Sequence, residues 1–231
     1  MTENKIAIFD LDGTVLDTLE DLCDGVNHIL IKYGFAERTV EEVRSFVGNG
    51  SKKLMERSLP NGVNEETFLT CYGEFVEYYR EHANIKTRPY KDIVHTLESL
   101  SSKGILCAVV TNKPHRAAVE LCAEYFGDLI VETVGDSSDR PRKPDPLSVL
   151  DVIKKYNACK AVYVGDSEVD IMTAKNADIP CISVTWGFKD KDFLLQNGAA
   201  CTVSTAAELY EKILDRLGVA DGETALSEGG E

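Results

Sequence analysis

The sequence has no C-x-x-C pair. Its seven cysteines, at positions 23, 71, 107, 122, 159, 181 and 201, are never closer than 15 residues. Neither a thiolate zinc site nor a disulfide framework is expected. The four histidines (28, 82, 95 and 115) have no ligand spacing either, and the expected compartment is the reducing cytoplasm. No apolar run approaches the ~18 residues of a membrane span. The N-terminus lacks a basic region followed by a cleavable apolar segment, so no signal peptide is expected. Basic residues are scarce, with 25 Lys and Arg against 39 Asp and Glu and a formal net charge of −14. A nucleic-acid partner is therefore not expected, since phosphate backbones demand clustered cations. An anionic membrane would be repelled for the same reason. Disorder of the bulk is excluded by a hydrophobic fraction of 43%. A chain of 231 residues exceeds the ~100–200 of a typical domain, which predicts one large domain or a domain with an insertion.

What is present is a recurring strand-like signal. The run 6–9 (Ile-Ala-Ile-Phe) ends in Asp10, is too short for a helix and does not alternate. That fits a central parallel strand buried on both faces. Comparable runs lie at 105–110, 129–134, 161–164 and 181–184, with a weaker one at 200–203. Helical patterns separate them. Ile93, Leu97 and Leu100 share a face, Pro114 opens a second helix, and Pro146 opens a third with Asp145 as its N-cap. Thr205 and Glu208 read as a capping box ahead of Leu209, Ile213 and Leu217. The alternation predicts an α/β fold, a doubly wound parallel sheet of Rossmann-like type. Residues 17–87 hold no strand-like run, only helical stripes: Leu19, Leu22, Val26, Ile29 and Tyr33; an interrupted Val43, Val47, Leu54 and Leu59; then Phe68, Tyr72, Phe75 and Tyr79. The expected organisation is a core of residues 1–16 and 88–217 with an inserted all-helical cap, 17–87, hinged near 16–18 and 85–88. A flexible acidic tail, 218–231, is expected to fray.

Four motifs carry chemistry. Asp10-Leu-Asp12-Gly13-Thr14 contains Asp-Gly, a hairpin signal, yet no second strand follows it. The other reading places two carboxylates at the C-terminal end of the first strand, where open parallel sheets bind ligands. Thr111-Asn112-Lys113 offers a hydroxyl, an amide and an ammonium to an anion, although taken alone it reads more readily as an ordinary strand-to-helix turn with Asn as a cap. Lys143 is held between prolines in Arg140-Pro-Arg-Lys-Pro144-Asp-Pro146, against the default of a solvated surface lysine. In Gly165-Asp166-Ser-Glu-Val-Asp170, Ser167 and Asp170 fit a capping box. Asp166, at the exit of a buried run, has no comparable structural role. Together the motifs would gather Asp10, Asp12, Asp166 and Asp170 at adjacent strand ends. Two like charges ~4 Å apart repel by ~4 kcal/mol at an effective dielectric of ~20. Such a cluster calls for a divalent cation, and oxygen-only ligands select Mg²⁺. With Lys143 alongside, the set suits a phosphate dianion and a carboxylate nucleophile.

In this order the motifs resemble the haloacid dehalogenase superfamily over residues 5–217. Finer strings agree: Phe46-Val-Gly-Asn-Gly50, Thr87-Arg-Pro-Tyr90, Val110-Thr-Asn-Lys-Pro114 and Lys143-Pro-Asp-Pro146. With a helical insertion after the first strand, they resemble the subfamily of phosphoglycolate phosphatases. The resemblance implies a Mg²⁺-dependent phosphatase acting on a small phosphorylated metabolite through an aspartyl-phosphate. Asp10 would be the nucleophile and Asp12 the general acid/base. Asp10, the Asp12 carbonyl and Asp166 would hold the metal, and Asp170 would orient metal-bound water. Thr111, Asn112 and Lys143 would surround the phosphate. The cap turn Gly48, Asn49, Gly50, Ser51 and Lys52 is the candidate specificity element, its N–H groups and Lys52 suited to a second anionic group. A β-phosphoglucomutase-like mutase and a non-catalytic binding protein on the same scaffold are the alternatives. A dehalogenase is disfavoured by Asp12. A phosphonatase is disfavoured because neither Lys52 nor Lys53 reads as buried. The oligomeric state is not legible.

Overall fold

The computed structural model describes residues 4–220 of the chain. Its strands are β1 (Asn4–Phe9), β2 (Leu16–Asp17), β3 (Arg88–Pro89), β4 (Ile105–Pro114), β5 (Glu132–Asp136), β6 (Ala158–Gly165), β7 (Cys181–Val184) and β8 (Thr202–Val203). Six of them form one parallel sheet in the order β5-β4-β1-β6-β7-β8. β1 is apolar at successive positions because helices cover both faces of the sheet. Ala7 and Phe9 share an apolar layer with Ile93 and Leu97 of α5 (Ile93–Ser102) and with Leu209 and Ile213 of α10 (Ala206–Leu217). Ile6 and Ile8 share the opposite layer with Val149 and Val152 of α7 (Leu147–Lys155) and Ala174 of α8 (Glu168–Asn176). α6 (His115–Phe126) adds Leu121 and Phe126 to the first layer. The register sets Phe9 of β1 opposite both Val109 of β4 and Val164 of β6. The segments after these residues, carrying Asp10, Thr111 and Asp166, therefore emerge side by side at one edge of the sheet.

Local chemistry explains the smaller features. Asp145, expected as the N-cap of α7, lies one residue before it: Pro146 takes the N-cap position, and Asp145 accepts the Leu147 N–H at 2.9 Å from outside the helix. At α8 the Ser167–Asp170 capping box forms as the spacing predicts. At α10 only half of the box forms: Thr205 accepts from the Glu208 N–H, but the Glu208 carboxylate reaches Ser204. The run 129–134 is not one strand. Its start is the end of a 3-10 turn, Gly127–Leu129, and pairing with β4 begins only where Glu132 faces Ala108. The tail expectation also changes at its beginning. Gly218, at φ 61°, caps α10, and the Val219 N–H bonds the Leu214 carbonyl at 2.9 Å. Residues 221–231 of the expected acidic tail lie outside the described residues.

The insertion consists of α1 (Leu19–Lys32), α2 (Val40–Phe46), α3 (Ser51–Ser58) and α4 (Glu65–His82). They enclose an apolar cluster of their own, including Val26, Leu30, Val43, Met55 and Phe75. The interrupted middle stripe breaks where Gly48 and Gly50 take φ of 126° and 83°, conformations that favour glycine. The two chain crossings between insertion and sheet pair with each other, Leu16 opposite Pro89 and Asp17 opposite Arg88. Beside this ribbon the buried Asp21 of α1 accepts the N–H groups of Ile85, Lys86 and Thr87 and the Thr87 hydroxyl, at 2.8–3.1 Å. One carboxylate thus gathers the returning chain. Asp21→Ala should lower the unfolding free energy by about 3 kcal/mol, because it strands several buried donors. Urea denaturation measures this, and a loss below about 1 kcal/mol would show the latch to be dispensable.

Candidate active site

The loop after β1 turns sharply at Gly13, φ 81°, where a Cβ would collide with the Asp166 carboxylate. Asp10 is held in place by the Leu11 N–H, which donates to Oδ1 at 2.7 Å, and by Lys143 Nζ at 2.9 Å. Lys143 is buried, and its ammonium also donates to Asp170 Oδ1 at 2.7 Å and to the Tyr163 hydroxyl at 3.0 Å. A lysine in a proline-bounded loop is thereby fixed on three side-chain partners rather than solvated.

Carboxylate oxygens of Asp10, Asp166 and Asp170 lie within 4.8 Å of one another. Burial lifts the Asp10 carboxyl to about 6, the Asp170 charge adding to the rise and Lys143 opposing it. Burial, reinforced by Asp170 and Asp10, also holds Asp166 well above the usual carboxylate range. For Lys143, burial alone would depress the ammonium, but the Asp10 and Asp170 charges outweigh it and raise it well above the ordinary lysine value.

Asp12 has a different partner. Lys113 Nζ donates to its Oδ1 at 2.7 Å and to the Tyr79 hydroxyl, from α4 of the insertion, at 2.9 Å. The same ammonium lies 4.8 Å from the Tyr79 ring centroid, within cation–π range. Burial works against the charge on Lys113, yet Asp12 and Tyr79 raise it above its ordinary value.

The expected residues converge on one cavity of about 60 Å³. It is bounded by Asp10, Asp12, Thr111, Asn112, Lys143 and Asp166 from the core, and by Gly48, Gly50, Ser51, Leu54 and Tyr79 from the insertion. Four expectations need correction. Asn112 was expected at the phosphate, but both ends of its amide are engaged by the Lys143 backbone, at 3.0 and 3.1 Å. Its amide therefore positions the lysine. Asp170 was expected to orient a water, but Lys143 occupies one oxygen while the N–H groups of Asp166 and Ser167 and the Ser167 hydroxyl occupy the other. In the cap turn, Asn49 is turned to Arg57, whose Nη2 donates to it at 2.7 Å. Lys52 is exposed, with its ammonium 5.9 Å from the Phe68 ring centroid, and bounds a different surface groove. The helical twist between Ser51 and Lys52 separates them: one enters the cavity, the next leaves it.

Three participants were missed. Lys113 was visible within the Thr-Asn-Lys motif, but its burial was not. Tyr79 was visible only as one member of an apolar stripe. Phe188, which bounds the cavity and donates its N–H to Asp166 Oδ2 at 2.7 Å, lies in a segment without periodicity.

Comparison with known proteins agrees with this architecture. Residues 7–184 match the family described as haloacid dehalogenase-like hydrolase. A phosphoglycolate phosphatase of Agrobacterium fabrum is 34% identical over 230 residues, covering 92% of this chain and 95% of the relative. One from Neisseria meningitidis is 33% identical, covering 89% and 92%. Among solved structures, a predicted phosphoglycolate phosphatase from Haemophilus somnus superposes with a TM-score of 0.84 at 27% identity, covering 92% of this chain and 99% of that one. The chain belongs to the haloacid dehalogenase-like hydrolases.

Proposed function

We propose that the protein is a Mg²⁺-dependent phosphatase of a small anionic phosphomonoester of the 2-phosphoglycolate class, with residues 17–87 acting as the cap over its active site. The observation that carries this reading is the closure of Asp10, Asp12, Lys143 and Asp166 into one small cavity beneath the insertion. The relatives named as phosphoglycolate phosphatases support the substrate class, and no observation favours the mutase alternative.

The donor set fits a hard divalent cation. Among the described residues, Asp10, Asp12 and Asp170 are ion-paired with two ammonium groups, Lys113 and Lys143, and Asp166 shares their cluster, a deficit of positive charge that one divalent ion offsets. Only oxygen donors are offered, as Mg²⁺ prefers. Since Asp170 is filled by its own donors, Asp10, Asp166 and the Asp12 carbonyl are the residues that would hold the ion. When bound, Mg²⁺ would supply charge neutralisation for the phosphoryl oxygens.

The chain's own groups do the rest. Asp10 attacks phosphorus in line and receives the phosphoryl group, forming an aspartyl-phosphate as the P–O bond to the alcohol breaks. Asp12 carries the proton delivered to the leaving alkoxide. It then takes a proton from the water that cleaves the aspartyl-phosphate, regenerating Asp10 and releasing phosphate. Lys143 and Thr111 hold phosphoryl oxygens, and the cap excludes bulk water from the step. The reaction class predicts that Asp10→Asn hydrolyses p-nitrophenyl phosphate at least ~10³-fold more slowly while remaining folded, as loss of a nucleophile does. Normal turnover by that variant would refute the assignment.

The buried carboxylates also predict a pH dependence. The folded Asp10 value, about 6, lies above its ordinary 3.8, and Asp166 moves the same way. In the metal-free protein their contribution to stability is fully present below the ordinary value and is lost as pH rises through the folded one. Mg²⁺, by neutralising the ionised pair, should raise the melting temperature more at pH 7.5 than at pH 5. Equal shifts at the two pH values in thermal denaturation would contradict this.

The cap geometry redirects the specificity expectation from Lys52 to Ser51. Ser51→Ala should lower kcat/KM for 2-phosphoglycolate by about tenfold, the value of one hydrogen bond to a charged group. It should affect p-nitrophenyl phosphate less, and Lys52→Ala should change neither. Equal losses on both substrates would place specificity elsewhere in the cap.

A further inference from the structure

The segment 185–190, which follows β7, connects the sheet, the cap and a metal-ligand candidate within a few consecutive residues. Trp186 Nε1 donates to the Thr14 carbonyl at 3.1 Å, anchoring the segment to the loop after β1. Gly187 then passes so close to Gly13 and Asp166 that a Cβ would collide with both. Its carbonyl accepts Arg44 Nη1, from α2 of the cap, at 3.1 Å. The Phe188 N–H is the donor to Asp166 Oδ2 at 2.7 Å. Its side chain does not join either apolar layer of the sheet; it is buried in the cap's cluster with Leu22, Leu54 and Phe75. Lys189 Nζ closes the set on the Ser45 carbonyl, again in the cap, at 3.1 Å.

We propose that Phe188 is a positioning residue that couples the seating of the cap to the orientation of Asp166, and hence to divalent-metal affinity. This rests on the assignment of Asp166 as a metal ligand. The ring is held in the cap's apolar cluster with one edge against Gly13 of the loop after β1, the amide one bond away from its Cα is held on Asp166, and Gly187 gives the backbone no side chain to shift around. With the cap seated, the amide fixes one oxygen of Asp166 and aims the other. With the cap displaced, the ring loses its apolar surroundings and the amide loses its fixed position. Coupling between two equilibria is reciprocal, so metal binding favours the seated cap as much as the seated cap favours metal.

The chain's single tryptophan, Trp186, lies inside this segment and reports on it directly. The experiment is a titration of metal-free full-length protein with MgCl₂, without substrate, followed by calorimetry and by Trp186 fluorescence. In the wild type, Mg²⁺ should change the emission with the same midpoint as the heat. Phe188→Ala should weaken Mg²⁺ binding by about tenfold, the lower end of what loss of an outer partner of a ligand costs. Phe188→Leu, which keeps an apolar anchor, should remain close to wild type. Arg44→Ala, which removes a second tie without touching the cluster, should weaken binding in the same direction. Leu30→Ala, in the same cap cluster but making no hydrogen bond to segment 185–190 among the described residues, should lower the melting temperature without changing Mg²⁺ affinity. Unchanged affinity in either Phe188→Ala or Arg44→Ala overturns the proposal, as does an equal loss in Leu30→Ala. Asp166→Asn separates the two levels. If it binds Mg²⁺ like wild type, the ligand assignment itself fails. If it abolishes binding while Phe188→Ala does not weaken it, only the coupling fails.

Discussion

Three carboxylates crowded around one buried ammonium are the constraint on which this structure depends. Asp10 and Asp170 both contact Lys143, and Asp166 lies within the same cluster. A buried charge is tolerated only when paired and hydrogen-bonded, and the surroundings of Lys143 meet that demand. Asn112 grips its backbone from the neighbouring strand end, and the Tyr163 hydroxyl steadies its ammonium. Tyr163 is in turn anchored on the Val110 carbonyl at 2.7 Å. Residues that look like parts of a binding motif are thus largely scaffolding for one lysine. The repulsion that remains among the carboxylates is what the proposed divalent cation would relieve.

The sheet makes this storage affordable. β1 and its neighbours are covered on both faces by separate apolar layers, so the central strands are packed up to their last residue. Polar groups accumulate only where the strands end, which is where a parallel sheet leaves backbone groups and helix N-termini available. Asp170 illustrates the economy of the arrangement. The capping box that starts α8 also fixes the Asp166 backbone and faces Lys143, so a structural cap and a part of the site are the same side chain.

How much of this was legible follows from where each signal resides. The strands at 6–9, 161–164 and 181–184 were visible because doubly covered strands read as short unbroken apolar runs. The insertion was visible because its stripes keep a helical period. Asp10, Asp12, Lys143 and Asp166 were visible as a set, since each is improbable alone at a strand exit. Burial and direction were not legible. Lys143 is marked by its flanking prolines, but nothing in the sequence distinguishes the burial of Lys113 from the exposure of Lys52. Successive residues of α3 are rotated ~100° about its axis, so a turn can be located while its inward members cannot. The segment 185–190 has no period at all, and its role comes from tertiary placement of one phenylalanine and one glycine.

The two acidic residues of the first loop end up under different control. Asp10 is set by groups of the sheet domain, through the Leu11 N–H and Lys143. Asp12 faces Lys113, whose ammonium also carries the Tyr79 hydroxyl and ring of the cap. The residue proposed to form the covalent bond is therefore preorganised by the core, while the residue proposed to move protons is organised jointly by core and cap. Preorganisation is most useful for the group whose geometry must match an in-line attack. A proton carrier gains more from an environment that closes around it after substrate has entered. The division of partners between the two lysines, one fixed in the sheet and one shared with the cap, matches that division of labour.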